Sequence, residues 1–348
     1  MNIKNLLKTF FCLTLMAMCW MPMSAQDSVL RGDVDNDGNV EISDVTMLID
    51  YLLGGDVRIN QEAADVDKDG LVDISDVSVL IDYLLSGEWP YEPEPEPEVE
   101  PIVVTVSGVT FKMIFVKGGT FMMGARDFDP YVRPWESPAH QVTLSDYYVC
   151  ETEVTQALWR AIMGTSSSNF PCWFTSTNGY TNNYERPAEN VTFSQCQSFI
   201  TKLNQKTGKT FRMLTEAEWE YAARGGSRSK GYMYPGSDDV DAVAWHRGNI
   251  IQENGKDITQ PVAQKAPNEL GLYDMAGSVS EWCSDWYALY SDAAVTNPTG
   301  PSTGTTRIVR GGCWDQSWRM CRPTYRYDGG TPTFASPQRG LRIALSAQ

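Results

Sequence analysis

A twelve-residue acidic loop that occurs twice constrains this chain more than any other feature. Asp33-Val-Asp-Asn-Asp-Gly-Asn-Val-Glu-Ile-Ser-Asp44 returns 32 positions later as Asp65-Val-Asp-Lys-Asp-Gly-Leu-Val-Asp-Ile-Ser-Asp76. Carboxylates fall at loop positions 1, 3, 5, 9 and 12, with glycine at 6. A hard cation takes roughly six to eight oxygens at about 2.3–2.6 Å, and glycine permits the sharp turn that brings them together. The spacing therefore predicts two calcium ions. Asp33, Asp35, Asp37, Glu41 and Asp44, with the backbone carbonyl of Asn39, would hold the first. Asp65, Asp67, Asp69, Asp73 and Asp76, with the carbonyl of Leu71, would hold the second. One match could arise by chance; two at a fixed period do not read that way.

An acidic run is ordinarily a solvated or disordered segment. Here each loop enters an amphipathic helix. Ser43 and Ser75 are the expected N-caps, Val45, Leu48, Ile49 and Leu52 share one face, and Gly54 and Gly87 mark the stops. A unit of about 60 residues buries too little surface to be comfortable alone, so metal binding is expected to supply part of its stability.

The net charge of −16 belongs to this segment. Residues 26–101 carry 21 acidic and three basic side chains, whereas residues 102–348 carry 23 of each. Neither part has the basic surface that nucleic-acid binding requires. Residues 1–25 read as a signal peptide: Lys4 and Lys8, an apolar run from Phe10 to Met21, Pro22, then Ser24-Ala25 before a cleavage point near Ala25. The run is short of the ~20 residues that span a bilayer. Cys12 and Cys19 would allow a lipoprotein, but Met18 suits that processing badly. The expected location is secreted, periplasmic or at the cell surface, with no membrane span. Six cysteines then remain, Cys150, Cys172, Cys196, Cys283, Cys313 and Cys321. An oxidising compartment would allow them to pair, in any of 15 ways, and no C-x-x-C spacing points to structural zinc.

The expected organisation is a signal peptide (1–25), a calcium module (30–88), a Pro/Glu linker (89–101) and a C-terminal domain (102–348). The alternating Pro-Glu of the linker favours an extended, self-repelling chain. Beyond it, Val109–Val116 alternates as a strand, Thr215–Arg224 reads as a helix with a Thr215/Glu218 capping box, and Thr155–Met163 and Ser194–Asn204 are further helices. The stretches 225–268 and 292–305 are long and irregular.

The segment at about 30–88 resembles a type I dockerin, in which each loop is followed by a single helix and the last ligand is Asp. That resemblance implies calcium binding and docking to a cohesin on a scaffold, as in extracellular polysaccharide-degrading assemblies. The contact positions differ from the usual ones: Ile42-Ser43 and Ile74-Ser75 replace Ser-Thr, and Ile49-Asp50 and Ile81-Asp82 replace Lys-Arg. Cohesin docking and a calcium-stabilised spacer both remain open.

Residues 109–345 resemble the formylglycine-generating enzyme (sulfatase-modifying factor) family. The resemblance rests on Phe115–Gly124, Glu153-Val-Thr155, Arg186–Val191, Leu214–Gly226, Pro267–Gly277, Glu281-Trp282, Arg310-Gly-Gly312 and Gly340-Leu-Arg342, in family order. It implies an irregular α+β fold related to C-type lectins. It also implies, for the family's oxidases, Cu(I) held by two thiolates, which suit that soft ion. Here Gln316 falls on the first copper cysteine and Cys321 on the second; Cys313 is the nearest substitute, eight residues from Cys321 instead of five. Copper is therefore not expected, and the reading favours a glycan- or peptide-binding domain over a diverged oxidase acting on a sulfatase-type cysteine. Ser278 stands where the family's asparagine joins Glu281 in a calcium site, leaving a weak second-domain candidate. The iron-dependent relatives need three histidines, and this chain has two, His140 and His246. Trp173, Trp282, Trp286, Trp314 and Trp318 could line a binding groove or fill the core. Glu281, Asp285 and Asp315 do not by spacing alone support glycoside hydrolysis.

Overall fold

The computed structural model describes residues 29–55, 57–68, 72–89, 99–125, 129–166, 168–169, 184–253 and 256–347. The predicted signal peptide, most of the linker, Asp69, Leu71, Cys172 and Trp173 lie outside them.

In the repeat module, α1 (Ile42–Leu52), α2 (Gln61–Ala64) and α3 (Ile74–Ser86) enclose a small core. That core consists largely of repeat-equivalent pairs: Val34 with Val66, Val45 with Val77, and Leu48 with Leu80. The predicted helix face is corrected at Ile49, which points outward, while Leu52 is partly buried. The caps differ as well. Glu41 and Asp73, not the serines, occupy the N-caps, in capping boxes with Asp44 and Asp76. The serine hydroxyls donate into those acids instead, Ser43 to Glu41 (3.1 Å) and Ser75 to Asp73 (2.7 Å). Asp73 takes the Ser75 amide (2.7 Å), and in the first helix the start is fixed by Asp44, which accepts the Glu41 amide (2.8 Å). The short α2, capped by Asn60, was not expected from the pattern. Trp89 stacks on Tyr83 at 3.9 Å with Arg31 over its ring, tying the module's ends together.

The C-terminal domain is α+β, as expected. Its main sheet has the order β1 (Ile102–Val106), β2 (Val109–Val116), β5 (Tyr147–Cys150), β14 (Ile343–Ser346), β6 (Phe211–Met213), antiparallel throughout. A second sheet orders β10 (Val295–Thr296), β4 (His140–Leu144) and β3 (Gly119–Met123). A third orders β12 (Arg326–Asp328), β11 (Arg307–Arg310), β9 (Ser280–Trp286) and β13 (Arg339–Gly340). β7 (Gln252–Glu253) and β8 (Lys256–Asp257) form a hairpin.

The period-two alternation of the main sheet sorts side chains onto two cores. Met113, Ile343 and Leu345 face α4 (Gln156–Met163) and α5 (Phe193–Thr207), where Trp159 stacks on Phe199 at 5.0 Å. Val116, Val149 and Ala344 face α6 (Glu216–Ala223) and its Trp219. The Thr215/Glu218 capping box forms as predicted: Thr215 Oγ1 accepts from the Glu218 amide (3.2 Å) and Glu218 Oε2 from the Thr215 amide (2.9 Å). The long 225–268 stretch is mostly irregular but includes the short α7 (Val240–Val243).

Candidate calcium loops and the thiol turn

Loop geometry in the repeat module starts from the twelfth position. Buried Asp44 accepts the amides of Val34 (2.7 Å) and Asp35 (3.1 Å) on Oδ1 and of Glu41 (2.8 Å) on Oδ2. Asp76 repeats the pattern with Val66 (2.5 Å), Asp67 (3.0 Å) and Asp73 (2.8 Å). Each aspartate thus binds the start of its loop to the start of its helix. Within the first loop, Asp33 accepts from Asp37 and Gly38 amides (2.9 and 3.0 Å), and Gly38 sits at φ +91°, where a side chain would be strained.

This backbone gathers carboxylate oxygens of Asp33, Asp35 and Asp37 within 4.8 Å of one another, and likewise those of Asp65, Asp67 and Asp76. Desolvation, with added repulsion from Asp44, Asp37 and Asp33, raises the Asp35 pKa. Burial pushes Asp76 up to about 6 even though backbone amides pull it down. Oxygens crowded this closely are stabilised by a cation, and an all-oxygen donor set of this charge fits a hard divalent ion. Glu41 and Asp73 stand at the helix caps, and Asn39 is exposed beside Asp37.

The C-terminal candidates are positioned by the third sheet. After β11 the chain passes Gly311-Gly312 into a turn in which the Gln316 amide donates to the Cys313 carbonyl (3.0 Å). Gly312 has φ +70°, and a Cβ there would lie 2.5 Å from the Met320 carbonyl, so only glycine lets the two passes of chain approach. Cys313 and Cys321 are both buried. Burial pushes Cys313 up to about 12 and raises Cys321, which sits among Tyr234, Val243, Ala244 and Ala276 and is raised further by Cys313. Thiols raised in this way stay protonated, and with glutamine instead of cysteine at 316 the turn does not fit a two-thiolate copper centre. Cys150, Cys196 and Cys283 are likewise free and buried.

At the second-domain candidate, Trp219 Nε1 donates to Glu281 Oε2 (2.6 Å) and Arg342 Nε to both of its oxygens (2.9 and 3.1 Å), while Ser278 is buried. Asp285, pushed up to about 7 by burial and by Glu216, accepts the Glu216 amide (3.0 Å). Trp282 is core, its Nε1 donating to the Val191 carbonyl; Trp286, Trp314 and Trp318 are half-buried.

What spacing did not reveal is the buried ion-pair frame behind these positions. Arg310 bridges Glu220 and Glu216, Arg326 clasps Glu216 through two 2.7 Å bonds, and Arg342 holds Glu281. The signal was present as Glu216 and Glu220, one turn apart on a helix otherwise buried.

Residues 105–347 match the sulfatase-modifying factor enzyme 1-like domain, and residues 31–85 match the dockerin type I domain. The chain belongs to the sulfatase-modifying factor enzyme 1-like family. It is 30% identical to the chaperone protein LppX of Paenibacillus barcinonensis, over 68% of this chain and 90% of that one. It is 29% identical to the formylglycine-generating enzyme of Streptomyces coelicolor, over 73% and 96%. Among solved structures, Treponema denticola variable protein 1 superposes with a TM-score of 0.62 at 29% identity, over 71% of this chain and 99% of that one. PvdO from Pseudomonas aeruginosa, at 24% identity and a TM-score of 0.55, shares the fold. Every member of the ion-pair frame, Glu216, Glu220, Glu281, Arg310, Arg326 and Arg342, falls within the matched span.

Proposed function

We propose that this is an exported two-module protein: a calcium-loaded dockerin module attaches it to a cohesin-type partner, and the C-terminal domain binds a ligand without oxidising it. The observation that carries the docking half is a pair of matching exposed apolar faces. Ile42 and Ile74 are 69% and 70% exposed, Ile49 and Ile81 both 38%, and Leu53 and Leu85 both 82%. Large apolar side chains exposed to the same degree at three repeat-equivalent positions favour an interface over a spacer. Calcium held by Asp33, Asp35, Asp37, Asp44 and their counterparts would fix the loops on which both helices stand, with Asp69 and Leu71 completing the second site.

The test is a pull-down with the tagged protein in calcium and in chelator. Retention of a scaffold protein only in calcium, surviving Ile42→Glu or Ile74→Glu singly but not together, supports docking. Partners recovered solely by the 102–348 part make the module a spacer.

For the C-terminal half, Gln316 and the raised pKa of both thiols favour binding over oxidation. The competing reading, an oxidase using Cys313 with Cys321, draws on the close approach of the chain at Gly312 to Met320, which flank the two cysteines. Turnover of a sulfatase-type cysteine peptide, with copper and reductant supplied, decides between the two.

A further inference from the structure

Beside the thiol turn lies a cavity of about 160 Å³ whose walls include Tyr131, Arg133, Arg319, Met320, Arg322 and Tyr325. Its three guanidinium groups do different jobs. Arg322 is buried and fully engaged: Nη1 and Nη2 clasp Glu136 (2.8 and 3.0 Å), Nη1 also reaches Asp129, Nη2 donates to the Tyr131 carbonyl (2.9 Å), and Nε donates to the Arg319 carbonyl (2.9 Å). One side chain therefore fixes both walls, the 129–133 loop and the Trp318–Met320 turn, at a set distance.

Arg133 and Arg319 are exposed, and no carboxylate pairs with either among the described residues. The nearby acids, Asp129 and Glu136, are both spent on Arg322. Arg319 is not a loose surface side chain. Its guanidinium lies 5.0 Å from the Tyr131 ring centre and 5.1 Å from that of Trp318, and those rings meet edge to face at 5.0 Å. A cation–π contact uses the guanidinium's charge and not its N–H donors, and a guanidinium held this way loses little freedom when an anion arrives.

We propose that this cavity is an oxyanion subsite, taking the carboxylate or sulfate group of a ligand between Arg133 and Arg319. Planar donor forks match those oxygens in geometry as well as charge. The aromatic walls lower the local dielectric and strengthen the pairing. The proposal rests on the reading of the C-terminal domain as a binding domain and names the chemistry of what it binds.

The experiment is calorimetric titration of the full chain with galacturonate, galactose 6-sulfate and N-acetylglutamate, with galactose as the uncharged control. Binding of charged probes, weakened by salt and absent for galactose, is the expected result. The sugar and amino-acid arms distinguish a glycan source from a peptide source. Arg133→Gln and Arg319→Gln should each weaken binding by about tenfold or more, the scale of a lost charge-assisted hydrogen bond. Both side chains are exposed, so an unchanged melting temperature verifies that the variants fold. Galactose binding as well as galacturonate, no charged probe binding, or the double variant retaining full affinity each overturns the subsite. None of these outcomes decides the non-oxidase reading, which cysteine-peptide turnover scores separately.

Discussion

Replacing Arg342 by methionine tests whether the buried ion-pair frame holds the C-terminal domain together. Arg342 is fully buried, and besides Glu281 it donates to the carbonyls of Cys150 (2.9 Å), Glu151 (3.0 Å) and Tyr273 (2.7 Å). Methionine fills similar space but leaves Glu281 without its cation in a dry site. Removing one partner of a buried pair costs about 3–5 kcal/mol. At about 2–4 °C per kcal/mol for a domain of this size, the melting temperature should fall by at least ~6 °C.

The deficit should also depend on pH. Burial pushes Asp274 up to about 6 and raises Glu153 well above the usual range; for both, Arg342 is among the influences pulling down. A carboxyl whose folded pKa lies above its unfolded value of about 4 favours the folded state at low pH and loses that contribution as pH rises through the folded pKa. Without Arg342 both values move higher, so the melting deficit should widen between about pH 5 and pH 8. Thermal melts of the full chain, followed by near-ultraviolet circular dichroism at both pH values, provide the measurement. A drop under 2 °C, or an equal deficit at the two pH values, would refute the reasoning.

Chelation should strip much of the helical circular dichroism contributed by residues 30–88, with Asp37→Ala weakening one calcium site and Asp69→Ala the other in a calcium titration. Thr215→Ala should cost about 1 kcal/mol in denaturant unfolding, the usual loss for a helix cap in which the side chain accepts a single amide. The unaltered protein should bind Cu(I) no more tightly than its buried thiols allow, and Cys313→Ser combined with Gln316→Cys should raise that affinity by restoring the five-residue spacing to Cys321.

The elements most legible in the sequence were those specified by local chemistry. Val109–Met113 alternates because Thr110 and Lys112 face solvent between residues of one core, and Thr215 with Glu218 caps a helix within four residues. The clustering of loop carboxylates was legible because they lie within twelve consecutive positions. Where the sequence reading went astray, the deciding contacts were competitive or distant. Ser43 and Ser75 are good cap residues, but Asp44 and Asp76 hold the amides of Glu41 and Asp73 and so start each helix two residues earlier. Nor does local spacing show that Arg342, 61 positions away, holds Glu281. The same distance concealed the Arg322 cluster, whose acids lie 186 and 193 positions upstream. Long-range charge pairing leaves no period in a sequence, whereas burial and capping do.

The contact at Gly312 bears on how the turn that follows it is held. Because the backbone there presses against the Met320 carbonyl, the entrance to the 313–316 turn and the approach to Cys321 are braced against each other whatever side chains the turn carries. Around that brace the turn is tied outward by its own side chains: Trp314 Nε1 donates to the Pro337 carbonyl (3.1 Å) and Gln338 Nε2 to Asp315 Oδ2 (2.9 Å), while Cys313 is buried. A change at any of these positions is therefore felt in the 336–338 segment, which makes the turn and that segment one unit rather than two loops.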